Sequence, residues 1–215
     1  MAASDDLGPW DPLSPEEIGT IFRTYPGLWC IAGGWALDLF AKTRSRPHDD
    51  IDIVILRNDL PRIHAALPDW DLHAAHGILT PWPAGTPLPV DAHDIWCKQR
   101  TGQRTGQRDG QRGQVEGPWK FQFMVIDTEG DDWLFRRDRR IRGSLATMTI
   151  ERAGLPVLAP EIQLLYKSKL PNRPKDEHDF ATSAPRLSPA QRDWLIRALV
   201  LLYADHPWLD ALRHL

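Results

Sequence analysis

The sequence is poor in cysteine and has no N-terminal targeting pattern. Cys30 and Cys97 are its two cysteines, which is too few for a disulfide framework. The first residues lack the basic and apolar regions of a signal peptide. We therefore expect a cytoplasmic protein in a reducing environment.

The chain also lacks a strong net charge and a membrane-length apolar run. Its 26 basic and 29 acidic residues give a formal net charge of -3, so nothing global indicates a nucleic-acid or anionic-membrane surface. The longest apolar stretches, such as 196–203, are interrupted by Arg197 and fall short of the ~20 residues that a membrane helix needs. We expect the protein not to bind a membrane, and these features do not favour nucleic acid as a partner.

One segment has almost no apolar character. Residues 100–114 repeat Gly, Gln and Arg and carry four arginines against one aspartate. Such a composition cannot repay the entropy of ordering, so we interpret the segment as a flexible, solvated hairpin loop. Its local positive charge leaves contact with nucleic acid as the alternative.

Strand and helix patterns alternate in the first part of the chain, and helical patterns follow. Ser14 and Ser188 each begin a capping box, and Asn58 is placed to cap a helix over 59–67. From Pro160 onward the pattern is helical. Apolar stretches predict five strands, at 28–32, 50–56, 70–73, 92–99 and 119–127. The sequence thus predicts a mixed helix-and-strand domain over 1–150 and a small helical domain over 151–215, with a boundary near 142–156.

Two acidic residues one position apart carry the clearest chemical signal. Asp50 and Asp52 begin a predicted strand, where alternate side chains point to the same face. Two carboxylates about 4 Å apart repel by roughly 4 kcal/mol at an effective dielectric near 20. A divalent cation would relieve that repulsion. The alternative is a structural ion pair with Arg44 or Arg46.

A double glycine precedes these aspartates by one short helix. Gly33 and Gly34 follow a predicted strand and open a helix, whose free N–H groups and dipole favour an anion. Glycine also lets a phosphate approach the backbone closely. A metal and a phosphate would then lie side by side, although a simple tight turn remains the alternative.

Together these motifs resemble a known family. The run Gly-Gly-Trp-Ala-Leu-Asp at 33–38, followed by Arg-x-His-x-Asp-Ile-Asp at 46–52, is similar to the nucleotidyltransferase superfamily with a DNA-polymerase-β-like fold. Within it, the motifs look most like the aminoglycoside 2''-adenylyltransferase and lincosamide nucleotidyltransferase branch. The match is close over 29–56 and weaker elsewhere, although Arg-Pro-Lys-Asp-x-x-Asp at 173–179 is similar to a stretch in the C-terminal helices of such proteins.

The resemblance implies an α+β fold with a mixed sheet flanked by helices, and transfer of a nucleoside monophosphate from an NTP, ATP first, to a hydroxyl. Two Mg²⁺ ions held by carboxylates would assist an in-line displacement. Asp50 and Asp52 would be joined by a third carboxylate on a neighbouring strand. We select Asp127 as that third metal ligand and add Glu129 to the catalytic set, with Asp91 and Asp94 as alternatives.

Several basic residues are candidates for contact with the nucleotide phosphates. Arg46 and His48 lie just before the acidic pair, and Lys167 and Lys175 lie on or beside the predicted C-terminal helices. Packing of the loop is the alternative for the first two, and a solvated helix face for the lysines. The predicted nucleotide-binding set is Gly33, Gly34, Arg46, His48, Lys167 and Lys175.

The favoured function is a Mg²⁺-dependent nucleotidyltransferase acting on a small-molecule hydroxyl. An aminoglycoside-like acceptor would need acidic residues across the cleft, for which the candidates are Asp131, Asp132, Glu161 and Glu177. The alternatives are a toxin-type enzyme that modifies RNA or protein, supported by the basic 100–114 segment, and a non-catalytic nucleotide-binding protein. The sequence leaves the acceptor, the preferred NTP and the oligomeric state open.

Overall fold

A mixed β-sheet organises the chain. The computed structural model describes residues 7–100, 117–170 and 172–215. The strands in these ranges are β1 (Trp29–Ala32), β2 (Asp52–Leu56), β3 (Trp70–His76), β4 (Ile78–Pro81), β5 (Asp94–Gln99), β6 (Phe121–Glu129), β7 (Asp132–Leu134), β8 (Arg142–Ser144), β9 (Thr149–Arg152) and β10 (Leu155–Leu158). They run in the order β4-β3-β5-β6-β2-β1-β10-β9, and β7 pairs with both β6 and β8.

Helices cover the sheet and follow it. They are α1 (Pro15–Ile21), α2 (Gly33–Ala41), α3 (Leu60–Ala66), α4 (Pro160–Lys167), α5 (Pro174–Ser183), α6 (Pro189–Leu202) and α7 (Trp208–Arg213). No helix in the described ranges has both the length and the apolar content to cross a membrane.

Both predicted capping boxes are present. The Ser14 N–H donates to Glu17 Oε2 at 2.7 Å, and the Glu17 N–H donates to Ser14 Oγ at 3.2 Å. Ser188 and Gln191 repeat the arrangement at the start of α6. The prediction that Asn58 caps a helix is wrong. The Asn58 amide donates to Thr128 Oγ1 at 2.9 Å, and α3 begins at Leu60 without a side-chain cap.

The sheet extends further along the chain than the sequence predicts. β10 pairs in parallel with β1, with Ile31 opposite Val157, so the sheet ends at Leu158 rather than within the predicted boundary at 142–156. β9 and β10 are joined by a two-residue turn at Ala153 and Gly154, both with positive φ, as a tight hairpin turn requires. The strands on either side are only four residues long, and for this reason the pattern did not reveal them.

Apolar clusters fill both faces of the sheet. On one face, Ile31, Ile53 and Phe123 pack with residues of α1 and α3. On the other face, Cys30 and Val54 share a cluster with residues of all four C-terminal helices. The alternation of side chains along β1 and β2 sends neighbouring residues to opposite faces. The C-terminal helices are therefore packed on the face to which Asp52 also belongs.

Candidate active site

The carboxylates of Asp50 and Asp52 converge on one amide group. β2 begins at Asp52 and runs parallel to β6, which places Gln122 opposite Asp52. Gln122 Nε2 donates to Asp52 Oδ1 at 2.7 Å and lies 3.5 Å from Asp50 Oδ2. Asp50 precedes the strand rather than beginning it, yet the two side chains still meet in one small volume.

No cationic side chain in the described residues neutralises this pair. None lies within 4.0 Å of either carboxylate, as the ion pairs of those residues all involve other acids. Arg46 pairs with Asp179, and the Arg44 guanidinium lies 5.2 Å from the centre of the Trp35 ring. The structure thus does not form the structural ion pair that the sequence left as an alternative.

Ionisation of both Asp50 and Asp52 at the same time is strongly disfavoured. Burial, reinforced by the charge of Asp50, raises the pKa of Asp52 to about 7, although Lys167 acts in the opposite direction. A group with this pKa holds a proton for much of the time near neutrality. A divalent cation would replace that proton and relieve the repulsion, since Mg²⁺ accepts hard carboxylate oxygens as ligands.

Close contacts at positions 33 and 34 explain why both residues are glycine. Gly33 has φ +67°, and a Cβ there would lie 2.0 Å from Asp52 Oδ2. A Cβ on Gly34 would lie 2.3 Å from Arg46 Nη2 and 2.6 Å from His48 Nδ1. Only glycine allows the turn from β1 into α2 to pass between the acidic pair and these basic side chains.

A polar cavity of 340 Å³ opens beside this turn. Its lining includes Asp50 and Asp52 together with five of the six residues predicted to bind the nucleotide, namely Gly33, Gly34, Arg46, Lys167 and Lys175. The lining also contains Asp94, which the sequence offered as an alternative third carboxylate, and side chains that were not among the predicted site residues: Gln122, Arg136, Gln163, Tyr166, Lys169 and Arg173. The predicted first half and the predicted helical part therefore contribute to the same cavity.

Asp127 and Glu129 lie elsewhere, which corrects the sequence-based choice of the third carboxylate. Asp127 is five residues beyond Gln122 on β6, roughly 16 Å along an extended strand. It pairs with Arg57, and the exposed Glu129 accepts from Arg142 Nη1 at 2.7 Å. Neither residue lines the cavity.

Asp94, an alternative for the third carboxylate, lies in the cavity with Asp50 and Asp52. It begins β5 opposite Met124, which lies two residues from Gln122 on the intervening strand β6. This register puts Asp94, Gln122 and Asp52 on one face of the sheet. Asp94 lines the cavity, and its charge contributes to the raised pKa of Asp52. Asp91, the other alternative, instead lies 3.1 Å from His76.

His48 is a packing residue in this structure. Its Nε2 lies 2.6 Å from Asp38 Oδ2, and its ring lies 4.5 Å from the Trp35 ring. The side chain is buried and does not line the cavity. Burial lowers the pKa of His48, against the influence of Asp38. Its predicted contact with the nucleotide is therefore not supported by its placement.

Arg46 and Lys167 line the cavity but are held by Asp179. Arg46 donates to both carboxylate oxygens of Asp179 at 2.8 and 2.9 Å, and Lys167 Nζ lies 2.8 Å from Asp179 Oδ2. Burial alone would raise the pKa of Asp179, yet these two cations hold it below its usual value. Lys175 differs, because no acidic partner lies within 4.0 Å of it in the described part of the chain.

The acidic candidates for an aminoglycoside-like acceptor lie outside the cavity lining. Asp132 pairs with Arg142, Glu161 accepts from Gln191, and Glu177 accepts from the Trp208 indole N–H. Asp131 is exposed. Most of the basic segment, residues 101–114, lies outside the described residues, and Arg100 at its start pairs with Asp71 at 3.2 Å.

The carboxylates of Asp50 and Asp52 suit a Mg²⁺ ion whose coordination shell is completed by a second molecule. In the described residues, no three side chains of His, Cys, Asp or Glu gather closely enough to form a metal site on their own. Mg²⁺ commonly takes one or two protein carboxylates and completes its shell with substrate phosphates and water. The convergent and unpaired Asp50 and Asp52 meet that requirement.

Part of the chain matches a known family model. Residues 16–78 match the family model for aminoglycoside-2''-adenylyltransferase, and that stretch contains both glycines and both aspartates. No curated protein matches the sequence significantly.

Two solved structures share the fold. One is the lincomycin-bound lincosamide antibiotic adenylyltransferase LnuA, with a TM-score of 0.51 and 14% identity over 80% of this chain and 97% of that one. The other is the antibiotic-resistance factor ANT(2'')-Ia, with a TM-score of 0.53 and 14% identity over 93% of this chain and 92% of that one. The chain has a nucleotidyltransferase fold. The resemblance inferred from the sequence and the predicted α+β architecture are thereby confirmed.

Proposed function

We propose that this protein is a Mg²⁺-dependent nucleotidyltransferase that transfers a nucleoside monophosphate from an NTP to a hydroxyl of a small molecule. One observation carries the proposal: Asp50 and Asp52 converge without a cationic partner in the described residues, beside a glycine turn and a cavity rich in basic side chains. Such a site matches a metal-bound triphosphate in charge and in ligand type.

In this scheme the acidic residues have separate roles. Asp50 and Asp52 would hold Mg²⁺, which would neutralise charge on the phosphates of the NTP. Gln122 keeps both carboxylates aimed at the same point by donating to Asp52 and lying close to Asp50. The basic residues at the rim, Lys169, Arg173 and Lys175, would contact the phosphates.

The reaction itself is a substitution at the α-phosphorus. The acceptor hydroxyl oxygen forms a new bond to that phosphorus, and the bond from the phosphorus to the bridging oxygen breaks, so that pyrophosphate leaves with the electron pair. We assign Asp94 as the base that takes the hydroxyl proton, because it lies in the cavity on the same face of the sheet as Asp52.

ATP as the first choice of NTP rests on the family resemblance. One neighbouring structure provides an acceptor for a first trial, since LnuA is lincomycin-bound. Lincomycin therefore heads a panel of hydroxyl-bearing molecules.

The decisive experiment incubates the protein with each α-labelled NTP, Mg²⁺ and this panel. We expect transfer of label to an acceptor, and a loss of about 10² or more in turnover in Asp50→Asn and in Asp52→Asn, by analogy with removal of one preorganised electrostatic group. Asp71→Asn, which changes an exposed carboxylate far from the cavity lining, is the matched control. Equal turnover in the wild type and in both site variants would refute the catalytic assignment.

A further inference from the structure

The glycine N–H expected to meet a phosphate is already occupied. Gly33 is the first residue of α2, and its N–H is one of the donors that a helix start leaves without a backbone partner. This N–H donates to Gln163 Oε1 at 2.7 Å. The acceptor comes from α4, 130 residues later in the chain. The phosphate therefore needs another donor at this corner of the cavity.

Gln163 offers such a donor through the other end of its amide. The Gly33 N–H requires an acceptor, which fixes Oε1 toward the glycine and turns Nε2 away from it. Among the described residues, Gln163 makes this one side-chain hydrogen bond, and its Nε2 is not among the buried atoms that lack a partner, so a molecule in the cavity can reach Nε2. Gln163 is 3% exposed, and it lines the same cavity as Asp50 and Asp52. An amide NH₂ that is open to the cavity can donate to a ligand there in place of water.

The surroundings favour an anion at that position. Lys167 lies one helical turn after Gln163 and so projects from the same face of α4 into the cavity. The Arg46 guanidinium approaches Gly34 from the other side of the turn. A phosphate oxygen placed here would meet an amide donor near two cations that already share Asp179, while the glycines leave room for its approach.

We propose that Gln163 binds a phosphate of the NTP: its carbonyl holds the Gly33 N–H, and its NH₂ donates to a phosphate oxygen. The inference rests on the proposed function, because it presupposes that a nucleotide occupies this cavity. It adds a phosphate-contacting residue from the C-terminal helices, so that α4 both fixes the glycine turn and contacts the substrate.

The substitution Gln163→Glu separates the two roles. A glutamate has nearly the same shape and can still accept from the Gly33 N–H, but it cannot donate when ionised and it repels a phosphate. Gln163→Met removes both roles at similar volume. The probes are MgATP and Mg-tripolyphosphate, measured by calorimetry at pH 8, with adenosine as a ligand that has no phosphate.

We expect Gln163→Glu to stay folded by circular dichroism while its Kd rises at least 10-fold for both MgATP and Mg-tripolyphosphate. Gln163→Met should weaken both probes and also lower the thermal midpoint, since the Gly33 N–H loses its acceptor. Binding of both probes by Gln163→Glu within 2-fold of the wild type would overturn the inference and leave the proposed function intact. Failure of the wild-type protein to bind either probe would reject both.

Discussion

Arg46 and Asp179 form a bidentate ion pair that joins the loop before β2 to α5. Asp179 is 1% exposed, and Lys167 shares the same carboxylate. The two residues are 133 positions apart, so this contact fixes the C-terminal helices against the segment that delivers Asp50 and Asp52.

Replacing Asp179 should therefore destabilise the whole fold. In Asp179→Ala, two partly buried cations lose their shared acid, and breaking a buried pair in this way costs about 3–5 kcal/mol. The measurement is the free energy of unfolding in urea. Asp71→Ala is the control, because its pair with Arg100 is exposed and should be worth less than about 1 kcal/mol. Similar losses in the two variants would contradict the importance of the buried contact.

Gly33→Ala should cost more than its backbone angle alone explains. The new Cβ would meet the Asp52 carboxylate, so we expect a loss of at least about 3 kcal/mol in unfolding free energy together with loss of transfer activity. Gly130→Ala is a matched control, since Gly130 also has positive φ (59°) but has open space around its Cβ position. The control should lose only about 1 kcal/mol. Equal losses would show that the contact with Asp52 is unimportant.

Asp94 and Asp127 should differ sharply in activity assays. Asp94→Asn removes the proposed base from the cavity and should lower kcat by about 10²–10⁴, while KM for the NTP changes little. Asp127→Asn leaves the cavity lining unchanged and should retain kcat within about 5-fold, after its folding has been checked by circular dichroism. A larger loss of kcat in Asp127→Asn than in Asp94→Asn would support Asp127 as the third carboxylate.

Asp52→Asn should stabilise the metal-free protein while abolishing activity. The folded-state pKa of Asp52 is about 7, above its ordinary value of 3.8, so wild-type stability falls as pH rises from about 4 to 7 and the carboxylate ionises. The variant avoids this penalty. Its advantage should be roughly 1.5 kcal/mol at pH 5 and about 4 kcal/mol at pH 8, from urea unfolding without Mg²⁺. An advantage that does not grow with pH would contradict the raised pKa.

Local patterns predicted much of this architecture. The capping boxes at Ser14 and Ser188 were recognisable because each depends on residues three apart. Asp50, Asp52 and the double glycine were recognisable because an acidic pair and a glycine turn are unusual between apolar stretches. The proposed Mg²⁺ ligands and the glycine turn both lie within residues 33–52, so this part of the site could be predicted from local sequence.

The remaining site depended on long-range register. Nothing in the local sequence distinguishes Asp94 from Asp127, because the choice depends on which residue of β6 lies opposite Asp52. The partners of Arg46 and Gly33 come from α5 and α4, more than 100 residues away. Gln122 and Gln163 carried a weak signal, as single polar residues within apolar stretches, that the sequence analysis did not use.

The parallel pairing of β1 with β10 sets a limit on how the protein can be shortened. A fragment ending at residue 150 would omit β10 and expose the backbone edge of β1, whose N–H and C=O groups would be open to pairing with other chains. It would also uncover the apolar face that α4 to α7 protect. Such a fragment should aggregate on expression, so we do not expect residues 1–150 to fold as a separate unit.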